Sequence, residues 1–160
     1  MGPAGPYSLP TNIGSSDANG LELGLRGRFQ DHYRWSVDYR PELIRDHFVP
    51  SAQNGTDFTD YQHTTPVHLL KANLGWANKA CEFDGYLHYQ SSASGIQVVG
   101  FAGGLASVAG FASVDARFAC KAPSRLTWSV SGQNLTQSSQ HQTVGPAVER
   151  RVLGTISFHF

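Results

Sequence analysis

The residues best able to do chemistry in this 160-residue chain are seven histidines, two cysteines and twelve acidic side chains, so their spacing comes first. His47, His63, His68, His88 and His141 are scattered, with no helical i, i+4 pair that would offer two imidazoles to zinc. No serine sits in a nucleophile elbow, and no glycine-rich run precedes a lysine as a phosphate loop requires. These histidines read as solvated polar residues, and neither an enzyme activity nor a metal or other cofactor is expected. Cys81 and Cys120 are too few for a disulfide scaffold and lack metal-ligand spacing, so their simplest reading is a pair of small apolar residues in strands.

The bulk composition excludes more. Twelve basic residues balance twelve acidic ones, which leaves no electrostatic footprint for nucleic acid. Charged residues make up 15% of the chain, well below the roughly 25% of an ordinary soluble domain. No run of about 18 apolar residues exists for a transmembrane helix. The opening MGPAGPYSLP lacks the basic and apolar regions of a secretory signal.

The elements that must position these residues are strands. Period-two alternation recurs in LELGLRGRF, YRWSVDYR, HLLKANLGW, CEFDGYLHY, SVDARFAC, LTWSVSGQ and RRVLGTISFHF. In each, one phase is apolar and aromatic, as in Tyr33, Trp35, Val37 and Tyr39. The other is charged, polar or glycine, as in Arg34, Ser36, Asp38 and Arg40. A soluble sandwich alternates in the same way, so the connections carry the decision. Short ones (Gln30–His32, Ala77–Ala80, Lys121–Arg125) alternate with long ones (Leu43–Pro66, Gln90–Ala112, Asn134–Ala147). In an antiparallel up-and-down meander of about seven strands, all short turns then fall at one end. That asymmetry marks a transmembrane β-barrel with short periplasmic turns and long extracellular loops. The apolar phase would face lipid, with Tyr33, Trp76, Tyr89 and Phe160 near the interfaces. On this reading Val130→Arg costs about 2–4 kcal/mol if Val130 lies near the bilayer midplane, and Ser129→Arg costs little. Cys81 opens the fourth strand and Cys120 closes the fifth in one phase, so a matching register would suit a disulfide at the periplasmic end.

The stretch VDARFACKAPSRLTWSVSGQNL, followed after a polar loop by ERRVLGTISFHF, resembles the C-terminal end of TonB-dependent outer-membrane receptors. Gly132, Gln133, Asn134 and Leu135 match a turn common in that family. Arg150, Arg151, Val152, Gly154, Phe158 and Phe160 match its closing strand, with Leu153 where an aromatic is frequent. The resemblance spans residues 19 to 160. It implies a bacterial outer-membrane location with a periplasmic C-terminus. It also implies a role in energised uptake of siderophore-iron, cobalamin or a carbohydrate.

The resemblance further implies that Gly154, Ile156, Phe158 and Phe160 form a signal read by the barrel-assembly machinery. Family barrels have 22 strands around an N-terminal plug, whereas about seven strands are expected over residues 20–160. Residues 1–19 read as an extracellular-loop-like segment. The expected protein is therefore the C-terminal barrel section of a receptor, without the part that engages the TonB complex and not transport-competent alone. In full-length receptors long loops help grip the ligand, which makes Asp57, Tyr61 and His63 loop candidates here. The segment from Gln97 to Phe111, rich in glycine, reads as a pliable loop with a short hairpin. The alternative is a small stand-alone barrel of about eight strands, structural, adhesive or lipid-modifying.

Overall fold

A computed structural model describes residues 12–49, 60–99, 102–123 and 125–158. The alternating segments become strands: β1 (Gly14–Gly20), β2 (Leu23–Phe29), β3 (Tyr33–Phe48), β4 (His68–Ala77), β5 (Cys81–Gln90), β6 (Ala93–Val99), β7 (Ala102–Val108), β8 (Phe111–Lys121), β9 (Leu126–Gln133), β10 (Ser139–Gln140), β11 (Val148–Glu149) and β12 (Arg151–Phe158). A single helical turn, α1 (Tyr61–Thr64), lies between β3 and β4. The main sheet is an antiparallel meander ordered β2-β3-β4-β5-β8-β9-β12, with β1 also paired to β3. All seven expected strands are present in this order.

The first strand is longer than its hydrophobic pattern. β1 and β2 hold one continuous register on β3, from Gly14 opposite Phe48 to Phe29 opposite Tyr33. They are interrupted only at Leu21 and Glu22, opposite Pro41 and Arg40. Proline has no N–H, so half of the ladder is missing there, although Leu21 N–H still donates to Pro41 O at 3.1 Å. Residues 14–20, expected as part of a loop, are thus a strand that extends the sheet beyond Pro41. The first long connection likewise starts later than expected, because β3 runs sixteen residues to Phe48.

Register brings the apolar phases of all seven strands onto one face. One row reads Phe29, Tyr33, Trp76, Phe83, Phe118, Val130 and Gly154; the next reads Gly27, Trp35, Leu74, Gly85, Ala116, Gly132 and Val152. Farther from the short turns come Leu25, Val37, Ala72, Leu87 and Val114, then Leu23, Tyr39, Leu70, Tyr89 and Ala112. Among the described residues this face is left largely uncovered: Leu25, Leu74, Phe118, Val130 and Ile156 are all exposed. Among the described residues only Val108, Phe111, Ala119 and Cys120 are buried apolar side chains. A soluble chain of this length buries a core; this one turns its apolar residues outward on a sheet.

The three short turns are built by local polar chemistry. Gln30 and Asp31 adopt left-handed φ angles of 49° and 54°, as tight hairpins favour. The Asn78 side chain accepts from the N–H groups of Ala80 and Cys81 at 2.8 and 2.6 Å. Arg125 supplies the left-handed residue of the third turn, with φ 58°. At the opposite end β6 and β7 form a hairpin outside the main sheet, and β10 and β11 pair as a two-residue ladder. The glycine-containing segment after Gln90 is therefore the expected loop with a hairpin, not an eighth strand of the wall.

Candidate functional site

The face opposite the apolar one carries the charges. Arg34 stands beside Gly75 in register and extends over it to Asp84 on the following strand, with a 2.5 Å ion pair. Gly75 makes this possible: a Cβ there would sit 2.5 Å from Arg34 Nε. Asp84, only 8% exposed, therefore keeps a charge partner. Arg117, directly opposite Asp84 in the same row, pairs with Glu82 one row lower. Asn73 Nδ2 donates to Gly85 O at 3.1 Å, and Arg40 lies 3.9 Å from Glu22. The result is a polar wall whose ion pairs cross strands.

Above this wall the long connections fold onto one another. Asp60 caps α1 by accepting from His63 N–H at 2.9 Å, and its carboxylate also meets His63 Nδ1 at 2.7 Å. On the extended part of β3, Asp46 accepts from Gln62 N–H at 2.8 Å and from the Ser16 hydroxyl at 2.5 Å. Partial desolvation pushes the Asp46 carboxyl up. The hydrogen bonds from Ser16, Gln62 and Tyr61, with the nearby His63, outweigh it and hold the group below the usual carboxylate value. α1 also lies against β6. On that hairpin Gly95 touches Val144 of the last connection, where a Cβ would come within 2.5 Å of Val144 Cγ1.

The Gly132–Leu135 stretch anchors that last connection. Asn134 is 1% exposed and left-handed, with φ 50°, a conformation asparagine tolerates better than most residues. Its N–H donates to the Asp115 carboxylate at 2.8 Å and its Nδ2 donates to Val148 O at 2.9 Å. Leu135 N–H then bonds Val114 O, and the Leu135 side chain folds over Gly132, where any Cβ would meet it at 2.6 Å. A turn recognised in the sequence by its resemblance is thus a clamp between β8, β9 and β11.

The loop candidates separate. Tyr61 and His63 share α1, both exposed, and His63 is already engaged by Asp60. Asp57 lies outside the described residues. Gly154, Ile156 and Phe158 occupy one phase of β12, opposite Val130, Trp128 and Leu126, while Phe160 lies outside the described residues. Sequence reasoning missed the Arg34–Gly75–Asp84 bridge, because its members are brought together only by strand register. Cys81 and Cys120 are directly opposed and joined, with Cα atoms 4.1 Å apart. Lys121 N–H donates to Ala80 O beside them, which places the pair at a narrow, non-hydrogen-bonded position of the ladder.

No family model and no curated protein matches the chain. Among solved structures, the chain is similar to one in the complex of FpvAI with pyocin S2, with a TM-score of 0.67 at 14% identity. The match covers 89% of this chain and 19% of that one. FpvAI is a TonB-dependent receptor. At this identity the likeness speaks for the fold alone.

Proposed function

We propose that this chain is a section of the barrel wall of a TonB-dependent outer-membrane receptor, a transport protein and not an enzyme. The observation that carries the reading is the in-register apolar face. Strands of eight to eleven residues, β4, β5, β8, β9 and β12, present an uncovered apolar surface on one side and cross-strand ion pairs on the other. From the Cys81 row to the Tyr89 row the apolar face runs about 27 Å along the strand, close to the roughly 25 Å band of outer-membrane barrels. Phe29, Tyr33, Trp76, Phe83 and Phe118 form an aromatic row near the short-turn end, as an interfacial girdle requires. No helix among the described residues is long and apolar enough to cross a membrane; strands would do the crossing.

The short turns face the periplasm and the clasped connections face outward. β2 and β12 are edges of the described sheet and do not pair with each other. Unpaired edge groups in hydrocarbon cost several kcal/mol each, so further strands must complete the barrel and this section does not transport by itself. Gly154, Ile156 and Phe158 on the exposed edge strand, with Phe160, offer the surface for the barrel-assembly machinery. The TonB complex would act through a part of the receptor other than this wall. Siderophore-iron, cobalamin or a carbohydrate is the cargo class. Membrane fractionation of a bacterium expressing the chain behind a cleavable secretory signal tests the reading. Recovery in the outer-membrane fraction supports it; recovery in the soluble fraction overturns it.

A further inference from the structure

We propose that Gln140 and Asn134 hold internal water beneath the last outward connection, and that this water helps to fasten the connection to the wall. Gln140 is 5% exposed although Ser139 and His141 on either side are exposed, so its amide is turned inward. Among the described residues neither Gln140 Nε2 nor Gln140 Oε1 has a hydrogen-bond partner. Asn134, 1% exposed, leaves its Oδ1 in the same condition. The two residues flank one point of the chain. Asn134 Nδ2 donates to Val148 O, and Gln140 is paired directly with Val148 between β10 and β11. Arg150 N–H donates to Ser138 O at 2.9 Å, so Gln140 and Val148, two residues further along the ladder, form the next hydrogen-bonded pair.

A buried donor or acceptor left unmade is costly, and native proteins almost always satisfy it. The three unmet atoms specify the partner. Gln140 Nε2 needs an acceptor, whereas Gln140 Oε1 and Asn134 Oδ1 need donors. A cation would serve the two oxygens and leave the nitrogen; an anion would do the reverse. Exchanging the ends of the Gln140 amide changes nothing, because both ends are unmet. Water both gives and accepts, and buried water is kept where about two to four polar groups meet it. The neighbouring anchors are direct: Asn134 N–H holds the Asp115 carboxylate, Leu135 N–H holds Val114 O, and Thr136 Oγ1 holds Ala112 O. Water at Gln140 extends this row of fastenings from β8 to the β10–β11 ladder. The site is independent of the cargo and of which face of the wall meets lipid.

The full chain, isotope-labelled and folded in detergent micelles, is tested by NMR for magnetisation transfer from water to side-chain amide protons. Transfer with the sign of long-lived bound water is expected at Gln140 Nε2 and Asn134 Nδ2. Gln140→Met keeps the side-chain length and removes both polar ends. It should abolish the transfer at Asn134 Nδ2 and speed backbone hydrogen exchange at Asn134 and Val148 about tenfold, while amides in β4 and β5 keep their rates. If the amide is simply unmet, Gln140→Met removes a buried polar group and exchange slows or stays the same, which overturns the site. Absence of transfer in the parent also overturns it; faster exchange in Gln140→Met without that transfer would assign the amide to a protein partner instead. Where Gln140→Met does not fold, the transfer in the parent decides alone.

Discussion

One strand, β3, passes through two environments, and they are held together by different means. From Tyr33 to Arg40 it belongs to the wall, with Tyr33, Trp35 and Val37 on an uncovered apolar face and Arg34 in a bridge to Asp84. From Pro41 to Phe48 it belongs to the rim, where Asp46 receives hydrogen bonds from β1 and α1. In the wall the ladder is continuous from strand to strand. In the rim the contacts are exposed, and local hydrogen bonds do the holding. The changeover falls at Pro41, where the ladder to β1 and β2 is also broken. A strand's facing is therefore a property of its depth as much as of its pattern.

Substitutions should separate the two regimes. Leu74, 53% exposed, lies midway between the Cys81 and Tyr89 rows, so Leu74→Arg should cost about 2–4 kcal/mol in lipid. Tyr86→Arg, at similar depth on the polar face, should stay within about 0.5 kcal/mol. Urea unfolding in lipid vesicles measures both, and equal costs would remove the distinction between faces. Val130, proposed from sequence as a midplane test, shares the aromatic row instead. Near the interface the cost of Val130→Arg falls to about 0–1 kcal/mol.

Ion pairs sharpen the comparison on a smaller scale. Arg34→Ala leaves the 8% exposed Asp84 without its bridge and should cost about 1.5–3 kcal/mol. At the rim, Asp17 meets His47 at 3.2 Å with both side chains well exposed, so Asp17→Ala should cost no more than about 0.5 kcal/mol. The same unfolding assay reads both variants, and a rim pair worth as much as the wall bridge would contradict the division.

The smallest expected effect is a response to acid. The Asp46 carboxyl is held below its ordinary value by its hydrogen bonds, so its contribution is present above the unfolded value of 3.8 and lost as pH falls through the lower folded value. Hydrogen exchange at the Gln62 amide should accelerate over that range while amides in β4 and β5 keep their protection. Uniform acceleration in both places would mean that the rim does not open on its own.

The strands were legible because a sheet with one apolar face leaves a period-two trace in each segment. β1 was not: Gly14–Gly20 has no apolar phase, since its face at the rim meets water, and only pairing with β3 reveals it. The β6–β7 hairpin was legible in outline, because glycines between β-branched residues mark a turn. The aromatic row and the Arg34–Gly75–Asp84 bridge are products of register across several strands, which no single segment contains. Gly132–Leu135 was recognisable as a pattern, but its role as a clamp depends on Asp115 and Val148, far away in the chain.

The Cys81–Cys120 bond gives the chain a second covalent route between β5 and β8. The outward connection with its β6–β7 hairpin is thereby part of a closed ring of bonds, sealed at the end of the wall opposite to that hairpin. A protease that cuts between Gln90 and Phe111 severs the main chain and yet yields no separate pieces. The wall can expose its most elaborate connection to attack and remain one molecule.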